Sequence, residues 1–319
     1  MMHQLIRDYF VPAFDMKSLN DSAVLDNMPP GRIALTTDSY VISPIFFPGG
    51  DIGLLSVCGT VNDLAVSGAK PLFLTAGFII EEGFPVADLK KILASMSCSA
   101  REIGVKIIAG DTKVVDRGKA DGIFINTAGV GVIGEGVDIS PLNIRPGDRV
   151  ILSGPIGMHG ISVMAERNGI SFDPPVLSDV CPLNGLVDHM LKVTKRVHVM
   201  RDPTRGGVAT TLKELAHESG LCITIHERKI QVPLGVRGAC ELLGLDPLYI
   251  ANEGVLIAIV ARDDAETLVA AMKQHKNGEH AAVIGEVTES PAKTVLLKTD
   301  LGGIRIIDML AGDQLPRIC

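Results

Sequence analysis

Apolar and polar positions follow one another along this chain with two periods, and each switch between them marks an element. Leu5, Ile6, Tyr9, Phe10 and Phe14 share one side of a helical repeat, which predicts a short amphipathic helix over 3–16. A polar segment through Met28-Pro29-Pro30-Gly31 breaks it. Residues 33–37 then read as a strand ending at Asp38, with Tyr40-Val41-Ile42 extending it or pairing with it. Over 51–68, Leu54, Val57, Cys58, Val61, Leu64 and Ala65 recur every three or four residues, a helix that Gly68 would stop. A strongly apolar strand covers 72–80. A helix over 85–103 starts at Pro85 and turns Leu89, Ile92, Leu93, Met96 and Ile103 inward. Strands follow at 105–109 and 123–132.

The pattern restarts near Arg145-Pro146-Gly147-Asp148. Strands are predicted at 150–152, 197–200, 221–226, 254–260, 281–289 and 294–298. Helices are predicted after the segment 153–160 and over 182–195, 205–219 and 263–274. Both halves mix sheet and helix with long crossovers, an α+β class (α/β mixed) with no short internal repeat. The expected organisation is a first domain over 1–146, a second over 147–301 and a mobile tail over 302–319. Taken as extended from Gly302, that tail spans on the order of 50 Å. It ends in Cys319, so a thiol sits at the free end of the chain, where it can be loaded outside the protein and carried back.

Composition narrows the functions such a chain can have. At 319 residues it is long enough for two domains, and its 46% hydrophobic and 21% charged residues are ordinary for a globular protein. A net charge of −7 and 4% aromatics exclude the basic face and stacking platform of a nucleic-acid binder. The six cysteines form no CxxC pair and have no zinc spacing, which points to a reducing compartment. Neither a signal-peptide layout nor an apolar run long enough for a membrane span is present, so a soluble cytoplasmic protein is expected.

Three aspartates share one kind of setting. Asp38 closes a strand in Thr36-Thr37-Asp38-Ser39, and Asp111 follows one in Ala109-Gly110-Asp111-Thr112-Lys113. Asp63 lies in Asn62-Asp63-Leu64-Ala65, on an otherwise apolar helix where a carboxylate needs a partner. Such positions suit Mg²⁺, which takes hard oxygen ligands and keeps substrate phosphates in its shell, or they are turn and cap residues. Arg201-Asp202-Pro203-Thr204-Arg205-Gly206-Gly207 runs into a helix, where glycines let backbone N–H groups approach an anion. The same turn can instead be capped by Thr204 or Asp202. Glu253 in Ala251-Asn252-Glu253-Gly254 is a base or an edge carboxylate, and His159 a proton carrier or a helix-start residue.

These motifs, with Phe46-Phe47-Pro48-Gly49-Gly50 and the terminal Pro316-Arg317-Ile318-Cys319, make the chain resemble the HypE family nearly end to end. Those proteins are the carbamoyl dehydratases of nickel-iron hydrogenase maturation, within the PurM-like ATP-binding superfamily. The Asn-Asp, Gly-Asp and Arg-Asp-x-Thr motifs mark the superfamily alone, which includes selenophosphate synthetase and thiamine-phosphate kinase; the terminal Pro-Arg-Ile-Cys marks HypE. Family members usually open with a His-Gly-x-Gly-Gly segment that is not found ahead of Gln4.

The resemblance implies a two-domain PurM-like fold whose first domain pairs its sheet across a homodimer. It also implies that Cys319 receives a carbamoyl group from the carbamoyltransferase HypF. ATP-dependent loss of water would then leave an S-cyanide for the HypC–HypD complex. ATP and Mg²⁺ would be the cofactors, with Asp38, Asp63 and Asp111 on the metal. Asn62, Thr112, Asp202, Thr204, Arg205, Gly206 and Gly207 would bind nucleotide, Lys113 would stabilise developing charge, and Glu253 would remove the nitrogen proton. The alternatives are another PurM-like kinase or synthetase acting on a free small molecule, and a non-catalytic maturation scaffold with a docking tail.

Overall fold

The apolar run after Asp51 becomes a helix buried almost all round, and the first half of the chain is arranged on it. The computed structural model describes residues 4, 6–16, 22–25, 28–310 and 317–319. In it, α1 (Ile52–Val66) is capped by the Asp51 carboxylate, which accepts from Gly53 N at 2.7 Å and Leu54 N at 3.0 Å. It stops at Gly68, whose φ of +83° turns the chain and whose N–H returns to Ala65 O. Its half-buried positions include Asp63.

α1 lies on a sheet of four strands, β1 (Arg32–Tyr40), β4 (Ala69–Glu81), β5 (Lys106–Val115) and β6 (Ile123–Ile133), in the order β1-β6-β4-β5. Two short strands, β2 (Phe46–Phe47) and β3 (Gly50–Asp51), form a hairpin beside it. β4 and β5 are parallel, linked by α2 (Val86–Ile103) with Pro85 at its N-cap, as read from the sequence. Leu74, Ala76, Phe78, Ile107 and Ile125 form the inner face against both helices. The outer face carries no helix among the described residues, and leaves Ile33 68% and Leu35 74% exposed. Two expected boundaries move. β1 runs through Asp38 to Tyr40, and β5 runs past Asp111 to Val115, so both aspartates lie within strands. The first helix is described only as wide turns over Ile6–Phe10 and a short α-helix over Val11–Ala13; residues 1–3 and 5 lie outside the described residues.

The second half builds one sheet of seven strands: β7 (Arg149–Leu152), β8 (Val197–Arg201), β9 (Cys222–His226), β10 (Ile257–Val260), β11 (Ala282–Thr288), β12 (Thr294–Lys298) and β13 (Ile304–Ile307). Their order is β13-β12-β9-β11-β7-β10-β8, antiparallel except for the β9–β12 pair. Of its helices, α3 (Met158–Asn168), α4 (Asn184–Val193), α5 (Gly207–Ser219) and α7 (Ala265–Met272) were expected, whereas α6 (Leu234–Leu243) was not. α5 packs on one face through Val208, Leu212 and Leu215, and α4 and α7 pack on the other through Leu186, Met190, Leu268 and Met272. Ala65 and Val66 of α1 join this second core, so apolar packing runs across both halves. No helix among the described residues is long and apolar enough to cross a membrane.

The expected tail needs correction at its root. Gly302 and Gly303 form the turn of a hairpin, and Ile304–Ile307 pairs with β12 as an edge strand. Residues 311–316, which include Gly312, Gln314, Leu315 and Pro316, lie outside the described residues. The last three residues are described, and they are docked.

Candidate functional site

A cluster of carboxylates gathers where α1 meets the second half. Asp38 of β1 pairs in register with Thr127, on the inner face of the sheet. Asp63 accepts from Thr36 Oγ1 at 2.9 Å. Burial, then the charges of Asp202 and Asp38, push its carboxyl up to about 7 despite that bond and Arg201. Asp202, after β8, is likewise raised by burial, against help from Arg201. Glu253 is 3% exposed, and Oε1 has no hydrogen-bond partner among the described residues. Burial first, then Asp202, Asp179, Asp38 and Asp63, raise its carboxyl well above the usual range.

The backbone that presents Glu253 is held on both sides. Asn252 is fully buried, accepts from Gly157 N at 2.7 Å and donates to Pro203 O at 3.0 Å. Asp179 Oδ2 accepts from the N–H groups of Glu253 and Gly254, at 3.2 and 3.0 Å. A Cβ at Gly254 would collide with the Asp179 carbonyl, so only glycine lets the two segments touch. These ties hold 252–254 outside the sheet, and β10 begins at Ile257 and not at 254.

Cys319 lies within this cluster. Its thiol is pushed up to about 12, by burial first and then by Glu253 and Asp38, while a hydrogen bond and the charge of Arg205 oppose the rise. Arg205, not the neighbouring Arg317, is therefore the cation at the sulfur; Arg317 instead pairs with Asp121. The chain end is fixed by Val41 N donating to Cys319 O at 3.1 Å and by Ile318, which is 5% exposed in the first core.

α5 begins beside these groups. Gly206 and Gly207 both have positive φ, +74° and +60°, and a Cβ on Gly207 would come within 2.5 Å of Leu248 O. Neither Asp202 nor Thr204 caps the helix; the cap position is Gly206, with no side-chain bond. The Thr204 backbone closes the turn, with its N–H on Asp202 O and its carbonyl accepting from Gly207 N. In the first turn Thr210 Oγ1 is buried with no partner among the described residues. An open helix start, an exposed arginine and a spare hydroxyl make a setting for an anion.

Four residues expected here are placed otherwise. Asp111 and Lys113 are exposed and bond each other at 2.6 Å, which holds the Asp111 carboxyl below its ordinary value. A bulge at Ile108 of β5, opposite Leu74 and Thr75 of β4, lets Ile107 and Ala109 pair with those successive residues. That one-residue slip turns Asp111 and Lys113 to the outer face, opposite α1. Thr112 stays on that strand, its N–H on Asp111 Oδ1 at 2.8 Å. Asn62 is 1% exposed and fully used as a brace: Nδ2 donates to Cys181 O and Glu253 O, and Oδ1 accepts from Leu183 N.

The three-aspartate metal set is accordingly not assembled, and no group of three or more His, Cys, Asp or Glu side chains among the described residues has metal-holding geometry. Mg²⁺ nonetheless fits Asp38 and Asp63. It binds through one or two carboxylates and completes its shell with phosphates and water, and these two raise the pKa of buried neighbours in the way a cation would relieve.

Sequence reasoning missed Asp179 and understated His159. Asp179 Oδ1 is buried without a partner among the described residues, and burial raises the carboxyl to about 6. Nothing in Leu177-Ser178-Asp179-Val180 signals this, because its partners lie some 75 residues away.

Two family models match the chain. They are AIR synthase related protein, N-terminal domain, over residues 19–133, and its C-terminal domain over 145–298. The carbamoyl dehydratase HypE of Cupriavidus necator is 53% identical over 320 residues, 99% of this chain and 91% of that protein. A crystal structure of the hydrogenase maturation protein HypE in complex with ATP superposes with a TM-score of 0.95 at 47% identity, covering 100% of this chain and 96% of that one. In a crystal structure of a HypE–HypF complex the corresponding values are 0.85, 52%, 96% and 99%. The fold is the PurM-like pair of domains that these matches share. With its terminal cysteine drawn in among the carboxylates, the chain belongs to the HypE family of carbamoyl dehydratases.

Proposed function

We propose that the chain dehydrates an S-carboxamide on its own Cys319 to an S-cyanide at the expense of ATP. The observation that carries this reading is the buried terminal sulfur, hydrogen-bonded to Arg205 and within the field of Glu253 and Asp38. A dehydration of this kind must make an amide oxygen leave and must keep water from the carbonyl. The carboxamide oxygen attacks the γ-phosphorus, ADP departs, and one N–H proton is lost as the phosphorylated imidate forms. Removal of the remaining N–H proton then makes the nitrile as the C–O bond breaks to release phosphate. Glu253 would take that proton, and its raised pKa makes the ionised form a strong acceptor. The dry wall around Ile318 and Glu253 keeps water away.

Nucleotide phosphates would lie at the start of α5, against Arg205, the Gly206-Gly207 turn and the Thr210 hydroxyl. Asp38 and Asp63, beside Asp202, would hold Mg²⁺, which supplies charge neutralisation for the phosphates. Asp111 and Lys113 enter this reading only through a homodimer. A second copy laid on the outer face would cover Ile33 and Leu35 and bring that pair to the boundary between subunits. HypF is the proposed source of the carbamoyl group and HypC–HypD the acceptor of the cyanide, within the cytoplasm.

Intact-mass measurement of the carbamoylated chain tests the reaction. With Mg-ATP the mass falls by one water and ADP appears in equal amount; without ATP it stays constant, and Cys319→Ala accepts no carbamoyl group. Conversion without ATP, or an undiminished turnover of a free small molecule by the Cys319→Ala protein, refutes the proposal.

A further inference from the structure

His159 stands at the start of α3, 0% exposed, and its ring nitrogens take no part in the chemistry proposed above. Nε2 lies 2.8 Å from the Ile318 carbonyl, and Nδ1 lies 2.8 Å from Ser178 Oγ. A carbonyl only accepts, so Nε2 carries the proton and Nδ1 accepts from the serine hydroxyl. Burial lowers the imidazole to about 4, which keeps this one tautomer neutral throughout the physiological range. Phe47 packs edge-on against the ring at 5.4 Å between centroids. The donor is thereby aimed before the tail arrives.

The tail is recognised through its backbone. Carbonyls of three successive residues each meet a donor: Arg317 O meets Arg167 at 2.7 Å, Ile318 O meets His159, and Cys319 O meets Val41 N at 3.1 Å. Of the two side-chain donors, His159 is the fully buried one. Departure of Ile318 leaves the His159 Nε2–H buried without a partner, which disfavours the undocked tail.

We propose that His159 is the positioning residue that seats the Ile318 carbonyl and so holds the Cys319 sulfur within the carboxylate cluster. The inference rests on Cys319 being the carrier, but it concerns where the tail sits and not the reaction on it. Its test is the rate at which iodoacetamide alkylates Cys319 in the full-length chain without ATP or carbamoyl group. The rate is read from the mass of the C-terminal peptide in a Cys98→Ser background, because Cys98 is the exposed cysteine.

A docked thiol held near 12 reacts slowly, and a released one regains ordinary reactivity. His159→Leu is expected to speed alkylation about thirtyfold, the middle of the range that an unpaired buried donor implies. His159→Gln, whose amide N–H can replace the Nε2 donor, should return it to within about twofold of the parent chain. Ser178→Ala supplies an independent variant should the leucine protein fail to fold. It removes the hydroxyl that holds Nδ1 and so fixes the ring's orientation, and is expected to speed alkylation severalfold. Unchanged rates in the folded variants overturn the proposal. So does equal acceleration in the leucine and glutamine variants, which would mark a packing role. Neither result touches the dehydration measurement, so the two readings fail separately.

Discussion

Asp63 and Asp111 flank the same four-stranded sheet, one on the helix laid over its inner face and the other on β5, turned outward. Inside, burial and the like charges of Asp202 and Asp38 push a carboxyl up to about 7. Outside, a lysine two residues away pulls one below its ordinary value. Residue type is the same in the two places; element, solvent and neighbours differ. The lesson is that an aspartate beside a strand acquires its chemistry from the face it occupies, and here a single bulged residue, Ile108, chooses that face.

The sharpest way to break this contrast is through the inner cluster. Glu253→Gln is expected to lower ATP-dependent conversion of the carbamoylated tail by ~10²–10⁴-fold, the usual range for a lost proton acceptor, with nucleotide binding retained in calorimetry. Conversion near the parent rate would remove Glu253 from the reaction.

Asp63→Asn comes next. Because the folded carboxyl titrates near 7 and an unfolded one near 4, the native state holds the extra proton between those values. The parent protein therefore loses stability as pH rises through that window, and the asparagine protein should not. At pH 8 the variant should be more stable by on the order of 1 kcal/mol after allowance for solvent screening. Mg²⁺ should raise the parent melting temperature at pH 8 and do little at pH 5. A flat difference between the two proteins across pH 4–8 would contradict the electrostatic account.

On the outer face, Leu35→Asp places a charge at a position 74% exposed in one chain. If two copies pair there, sedimentation should show monomers with little change in subunit unfolding. Smallest of all, Lys113→Met removes an exposed ion pair and should move the melting temperature by no more than about 2 °C.

Much of the fold was legible because its signals are local. Pro85 and Gly68 sit where helix ends were expected, and the strands of the second half fall within a few residues of their apolar runs. α6 escaped because Leu234 and Leu242, 85% and 74% exposed, blur the stripe made by Val236, Ala239 and Cys240. β13 escaped because two of its four residues, Ile304 and Ile306, face outward on an edge strand. The candidate site was half legible. Asp38, Asp63, Asp202, Arg205, Glu253 and Cys319 come together; Asp111 and Lys113 do not, because the bulge that turns them away is a property of paired strands. The Asn62 brace and the Asp179 tie likewise join residues far apart in sequence.

Anchoring of residues 304–307 in the sheet limits how far the sulfur can travel. Twelve residues follow Ile307, and at full stretch they reach about 40 Å. On the proposed reading, every donor or acceptor of the small group must bring its own reactive centre inside a sphere of that radius. For the same reason the donors that hold the last three carbonyls meet them as a tethered ligand, at an effective concentration on the order of millimolar.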